Sequence, residues 1–331
     1  MQEEYSRRNV RRETFEHYKG RWPVSADARR NLYLKYAKYP DDVALERGES
    51  LRGGEIRDMW KEVALTLLDN LGDTRDKRGI DVGASSGYFI RQLMESGYRG
   101  EVIGVDIETG HQPFLQWELS QEFPGSTIVL GGSDAQSLRE VRLTDDDGSV
   151  VEALRIDKNS FDFLTELFVL YHVPDPRRAY VAAHKVLKPS GIAIFSGRGR
   201  LNQRHLWNLG VKIADNFDAR VPQSFYDHHS LDDIESYLKE SPYFEVIESA
   251  TQADHLWIPA TDEGWADYRA ALMSLRPLMK DRSGKPINGK VLGDYLDSKI
   301  RKDEFEVQAA ANHGYFIDYV FQNYYVCRNI K

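Results

Sequence analysis

The sequence predicts an α/β protein in which a doubly wound, mostly parallel sheet carries helices on both faces. Three observations predict it: short apolar runs alternate with stretches of helical spacing between residues 79 and 196, the first run opens into a glycine-rich loop, and the second ends in an acid.

The first strand spans 79–83, and the helix after it spans 88–96, with Phe89, Leu93 and Met94 on one face. Further strands fall at 101–106, 126–130 and 161–168. Pro174 and Pro176 break the chain before a helix that reaches Val186, and a fifth strand covers 191–196. Beyond residue 200 the pattern gives a helix over 231–238, a strand over 244–249, helices from 262 to about 311, and a last strand over 319–327, expected to join antiparallel. Within 141–156, two β-branched runs flank Asp145-Asp146-Asp147-Gly148, a hairpin signal. Three acids in a row suggest calcium, but they lack the alternate spacing and distal glutamate of an EF-hand loop; a turn is the better reading. Residues 1–65, charged and tyrosine-rich, read as a helical N-terminal extension or lid. Residues 66–200 form the sheet core, and 201–331 complete the sheet around a helical cap inserted at about 255–312.

The 331 residues suffice for a large buried core, and no apolar run approaches the length of a membrane helix. The N-terminus is charged throughout and does not read as a secretory signal. Cys327, the single cysteine, excludes a disulfide framework and a multi-cysteine zinc site, so a cytoplasmic location and no metal are expected. With 44 Lys plus Arg against 52 Asp plus Glu, the net charge of -8 weighs against a nucleic-acid partner. Arg7, Arg8, Arg11 and Arg12 alternate with Glu3, Glu4, Glu13 and Glu16, as on a solvated, ion-paired helix.

The chemistry is concentrated at Asp81-Val82-Gly83-Ala84-Ser85-Ser86-Gly87, between the first strand and its helix. Glycines there allow a tight turn and close approach to a ligand, and the helix start offers free amide donors. Asp106 ends the next strand, 23 residues after Gly83, where a carboxylate can accept from both ribose hydroxyls of an adenosine. Ser133-Asp134-Ala135 follows the third strand and places a carboxylate where an adenine amino group would lie; a surface turn after Gly131-Gly132 is the competing reading. A dinucleotide fingerprint wants glycine where Ser85 stands, so that the backbone can press on a pyrophosphate. The Asp81 carboxylate also favours a cationic amino group over a diphosphate. S-adenosylmethionine meets both conditions; a nucleotide-dependent dehydrogenase, disfavoured by Ser85 and Asp81, is a weaker third choice.

These residues resemble the class I S-adenosylmethionine-dependent methyltransferases, particularly those acting on small molecules. The resemblance covers roughly residues 75–200 and rests on DVGASSG at 81–87, VIGVD at 102–106, SDAQSL at 133–138, SFDFLTELFVLYHVPDP at 160–176 and VLKPSGIAIF at 186–195. It implies a Rossmann-like core. The methionine part of the cofactor would lie on Gly83, Ala84, Ser85 and Gly87, the ribose on Asp106 with Ile107 stacking, and the adenine on Asp134 and Ala135. The family often has glycine where Ser85 and Ser190 stand, and the 141–156 hairpin is an addition to it.

Methyl transfer is an in-line displacement, so the protein aligns a nucleophile and excludes water. The fourth strand's end, Glu166 to His172, is expected beside the methyl group: Glu166 at the cofactor, Tyr171 at the acceptor, and His172 as base for a hydroxyl acceptor or as pocket wall. Arg198, Arg200 and Arg204 offer bidentate pairing to a substrate carboxylate or phosphate, with solvent-facing loop arginines as the equally weighted alternative. Arg52 is a candidate partner for the cofactor carboxylate. His228 and His229 follow Phe225-Tyr226-Asp227 and read as a loop surface. Trp257, with Trp22, Tyr33, Tyr36, Trp265 and Tyr268, would form an aromatic lid, although core packing accounts for such residues equally well. The function expected is methylation of an oxygen or nitrogen on a small-molecule acceptor. An RNA methyltransferase and a catalytically silent, cofactor-binding scaffold of the same fold are the alternatives.

Overall fold

The computed structural model describes residues 59–107, 112–145, 149–170, 173, 175–198, 204–221 and 231–330. The parallel strands are β1 (Arg78–Val82), β2 (Glu101–Asp106), β3 (Thr127–Gly132), β6 (Phe161–Leu167) and β7 (Leu187–Arg198). β4 (Glu140–Thr144) and β5 (Val150–Arg155) form an antiparallel hairpin, the one expected around Asp145, and extend the sheet beyond β3. β8 (Phe244–Pro259) and β9 (Tyr315–Asn329) are antiparallel to each other, and β9 is antiparallel to β7. Among the described residues the order is β5-β4-β3-β2-β1-β6-β7-β9-β8. The chain builds outward from β1 through β3 and then crosses back to β6, so the topological switch point lies between β1 and β6.

Alternation along the strands decides which face each helix covers. Phe163, Ile192, Ile194, Tyr324 and Val326 pack with α1 (Met59–Leu71), α2 (Tyr88–Glu95) and α3 (Gln112–Glu122). On the other face, Leu164, Ala193, Phe195, Tyr325 and Cys327 pack with α4 (Pro176–Val186) and α6 (Leu231–Glu240). The side chain of Asp175 caps α4 by accepting from the Arg177 amide, and Pro176 takes the first helical position, where no amide hydrogen is needed.

A third core stands apart from these. α5 (Arg204–Asn216), α7 (Asp262–Met273), α8 (Gly289–Tyr295) and α9 (Glu306–Ala311), the last two joined by a π-helical stretch Leu296–Phe305, enclose Leu206, Trp265, Tyr268, Ile300, Phe305 and Phe316. Its support is a two-stranded ribbon. The β7–β9 pairing stops at Arg198↔Gln322, whereas β8 and β9 stay paired to Pro259↔Tyr315. The ribbon therefore projects past the carboxyl end of β7 and carries the cap over that end of the sheet. Asp318 locks it: buried on β9, its two carboxylate oxygens accept from the amides of His205 and Leu206, each at 3.0 Å, at the start of α5.

The strand–helix order is as expected, and the differences are local. β8 runs ten residues past the anticipated 249, because β9 supplies hydrogen-bond partners along its whole length; the helical insertion of the cap therefore begins after Pro259 and not at 255, and α5 joins it from before β8. The boundary drawn at residue 65 falls inside α1, whose Met59, Val63, Ala64 and Leu67 are core residues of the sheet. Helices α3 and α5 were not anticipated. Residues 1–58, expected to be helical, lie outside the described residues.

Candidate active site

The carboxyl ends of β1, β2, β3 and β6 meet around the glycine loop. Past Val82 the chain turns at Gly83, with φ 78°, and the amides of Gly83 and Ala84 both donate to the Val105 carbonyl, at 2.7 and 3.0 Å. A Cβ on Gly83 would stand 2.1 Å from Cγ2 of Val169, so the segment after β6 presses directly on the loop. Ser85, with φ 44°, donates its amide to Oδ2 of Asp106 at 3.0 Å, and Gly87, with φ 68°, leads into α2. The loop is thus tied to the end of β2, and the Asp106 carboxylate is held at the crevice. Ile107 beside it is 76% exposed, an apolar platform at the rim. Ser133 donates its amide to the Asp106 carbonyl, joining the end of β3 to the same place. Asp134 is exposed and caps its own turn, its Oδ1 accepting from the Gln136 amide at 2.9 Å, while Ala135 packs against the sheet core.

Asp81 is buried beneath this loop, and its Oδ1 accepts from the Thr165 hydroxyl across β1 and β6 at 2.6 Å. Burial pushes its carboxyl up to about 7; the Thr165 hydrogen bond opposes that rise and the charge of Asp106 adds to it. Glu166, one residue further on, points to the opposite, α4 face of the sheet. Both its oxygens are shut off from the surface and meet no hydrogen-bond partner among the described residues, so the carboxyl does not open onto the rim where its cofactor contact was expected. The cause is strand parity: Thr165 and Glu166 must face opposite sides.

Several residues at this site were not anticipated. Phe168 takes φ 60°, a strained conformation for an aromatic residue, and donates its amide to Oγ of Ser196 at 3.0 Å. Its ring lies 5.3 Å from Trp60 of α1, and Trp60 lies edge-on to Tyr88 at 5.7 Å. Trp60, Tyr88 and Phe168 make an aromatic wall that links α1, the start of α2 and the end of β6. The ELFVLYH run marked the place but not the strain, and nothing local marked Trp60, whose role depends on tertiary packing.

The aromatic lid divides. Trp265 and Tyr268 are structural, packed on Phe305 and Phe316 inside the cap core. Trp257 is buried on β8 with its ring near His255 and Tyr315; its neighbours Leu256 and Ile258 enter the cap core, so Trp257 lies on the other side of the ribbon. Arg198 ends β7 at the rim. Arg52, Tyr171, His172, Trp22, Tyr33, Tyr36, Arg200, His228 and His229 lie outside the described residues. No three His, Cys, Asp or Glu side chains among the described residues are grouped as a metal would need.

The rim fits S-adenosylmethionine. The strand-end segments GASSG (83–87), DI (106–107), SDA (133–135) and FVL (168–170) carry two acids and no lysine or arginine, which suits a cationic ligand and not a diphosphate. The open backbone at Gly83 permits close approach, Asp106 is placed for hydroxyl donors, and Ile107 offers a flat apolar surface.

Fold and site together define a class I S-adenosylmethionine-dependent methyltransferase. A family model described as a methyltransferase domain matches residues 55–243, and the chain belongs to that family. Among curated proteins it is similar to the ubiquinone biosynthesis O-methyltransferase of Idiomarina loihiensis, 28% identical over 204 residues, which are 61% of this chain and 73% of that enzyme. The enzyme of the same name from Nitrosococcus oceani is 28% identical over 166 residues, 50% of this chain and 61% of its own length. The chain thus spans less than two thirds of several of the relatives it matches. Among solved structures it is similar to Haemonchus contortus phosphoethanolamine N-methyltransferase 2 in complex with S-adenosyl-L-methionine, at TM-score 0.44 and 17% identity, covering 82% of this chain and 53% of that one. No helix among the described residues is long and apolar enough to cross a membrane.

Proposed function

We propose that the protein transfers a methyl group from S-adenosylmethionine to an oxygen of a small-molecule acceptor in the cytoplasm. The observation that carries this reading is the cap held by the β8–β9 ribbon beyond the carboxyl end of β7, which supports an enclosed acceptor site and not an open track for a polymer. The O-methyltransferase names of its curated relatives support oxygen as the acceptor atom.

When bound, the cofactor supplies a methyl group on a cationic sulfonium. Gly83 and the loop after it admit its methionine part, Asp106 accepts from its ribose, and Ile107 and Asp134 border its adenine. Trp60, Tyr88 and Phe168 contribute an apolar wall that excludes water, which raises the reactivity of a hydroxyl nucleophile toward a cation. His172 is the residue proposed to take the hydroxyl proton, and Tyr171 and Arg198 are proposed to contact the acceptor.

The test is a screen of phenols, catechols and hydroxy acids with methyl-labelled cofactor, reading labelled product and demethylated cofactor. Label on oxygen, lost in His172→Ala with cofactor affinity retained, is the expected result. Label on nitrogen only, or full activity in His172→Ala, would contradict it.

A further inference from the structure

Glu166 stands at the switch point, paired in register with Val82, the residue before the glycine loop, and with Phe195 of β7. Its carboxyl is enclosed, 0% exposed, with neither oxygen hydrogen-bonded among the described residues. The hydroxyl of Tyr180 on α4, within electrostatic reach, is likewise buried without a hydrogen-bond partner. Among the described residues, the other titratable groups that act on the Tyr180 hydroxyl are Tyr237 of α6 and Tyr325 and Cys327 of β9. The charges bordering it lie further out: Arg177 over the Tyr237 ring at 5.1 Å, and Glu235, which accepts from the Tyr325 hydroxyl and pairs with exposed Lys239. Asp81 lies on the opposite face of the sheet. Proteins seldom keep a buried, unpaired carboxyl without a use for it.

We propose that Glu166 is a charge sensor for the cofactor crevice: it carries a proton in the resting enzyme and releases it to solvent when cationic S-adenosylmethionine binds. Its register partner Val82 is one residue below Gly83 of the rim, so a sulfonium bound there is felt through a low-dielectric medium without contact. Methyl transfer turns the sulfonium into a neutral thioether; the added charge disappears, and the Glu166 carboxylate takes a proton back from solvent. The ionised carboxyl thus favours the methyl donor over its demethylated product, which carries one positive charge less. Glu166 touches neither cofactor nor acceptor in this scheme and is a positioning residue that acts through charge. Burial supports it, pushing the carboxyl up to about 8 by disfavouring the charged form.

The inference rests on the cofactor assignment, and the experiment separates the two. Calorimetric titrations at pH 7.5 in buffers of different ionisation enthalpy count the protons released on binding. The wild type is expected to release about half a proton more than Glu166→Gln on binding S-adenosylmethionine, and no more than the variant on binding S-adenosylhomocysteine. This corresponds to a wild-type affinity for the methyl donor that rises about threefold per pH unit near pH 7.5 relative to the variant. Should Glu166→Gln fail to fold, infrared difference spectra of the wild type serve: the carbonyl stretch of a protonated carboxylic acid should be present in the free protein and diminish with S-adenosylmethionine alone. Equal proton counts in wild type and variant, equal counts for the two ligands, or an unchanged carboxylic acid band would overturn the sensor while leaving the cofactor assignment intact. A wild type that binds neither ligand would overturn both.

Discussion

Replacing Gly83 with alanine tests the contact between the glycine loop and the segment after β6. The added methyl meets two separate obstacles. Gly83 has φ 78°, a left-handed conformation that costs a residue with a Cβ about 1–2 kcal/mol. The Cβ would also stand 2.1 Å from Cγ2 of Val169, an overpacking that typically costs about 1–3 kcal/mol. Together they give about 2–5 kcal/mol, a large share of a typical domain's stability. Because the Gly83 amide is anchored to the Val105 carbonyl, part of the strain must be relieved by moving the loop, so cofactor affinity falls as well. Urea denaturation and cofactor titration of Gly83→Ala, Val169→Ala and the double variant separate the two terms. Val169→Ala should recover the overpacking part in the double variant, about 1–3 kcal/mol, and leave the backbone part. A Gly83→Ala protein as stable and as tight-binding as the wild type would contradict the proposed contact, as would strictly additive effects.

Three further outcomes are expected. Ser190, exposed with φ 62°, pays for a left-handed turn, so Ser190→Gly should raise stability by up to about 1 kcal/mol, read as an increase in Tm; a lowered Tm would contradict the assigned strain. Asp318→Ala removes both acceptors at the start of α5 and should cost at least about 2 kcal/mol, with faster hydrogen exchange in the cap than in the sheet core; uniform exchange would contradict a separately anchored cap. Glu166 binds its proton more tightly when folded than when unfolded, so it draws down stability as pH rises from about 4.5 to about 8, by at most about 1.4 kcal/mol per unit, and has no further effect above that. Glu166→Gln should therefore gain stability relative to the wild type across that window, and parallel pH–stability curves would show the carboxyl to be ionised in the folded protein.

Local signals reveal the parallel core because each of its strands is a short apolar run ended by glycine, acid or proline. They also locate the cofactor loop and Asp106, since a tight turn and a strand-final acid are written into neighbouring residues. Other features depend on distant partners. The far half of β8, Thr251-Gln252-Ala253-Asp254-His255, has no apolar alternation, and its strand conformation comes from β9 some seventy residues on. In α3, Pro113, Phe114, Leu115, Trp117 and Leu119 do not follow a single helical stripe, and Pro113 resembles a break although it falls in the first turn. Ser85 and Ser190, both where the family often has glycine, take positive φ, a strain that residue identity alone does not disclose. The orientation of Glu166 needed strand parity, fixed only once the register of β6 against β1 was known. Core packing, the bland reading of the aromatic residues, proved right for Trp265 and Tyr268 because the cap has a hydrophobic centre of its own.

We assign the crevice at the ends of β1, β2 and β6 to S-adenosylmethionine, with Asp106 as its anchor. Calorimetric titration of the wild type and Asp106→Ala with S-adenosylmethionine, and of the wild type with NAD, tests it most directly. The methyl donor should bind and NAD should not, and Asp106→Ala should weaken binding about 10- to 150-fold, the loss of about 1.5–3 kcal/mol that hydrogen bonds to a charged group provide. Binding of NAD alone, or an affinity for S-adenosylmethionine that a folded Asp106→Ala protein leaves unchanged, would contradict it.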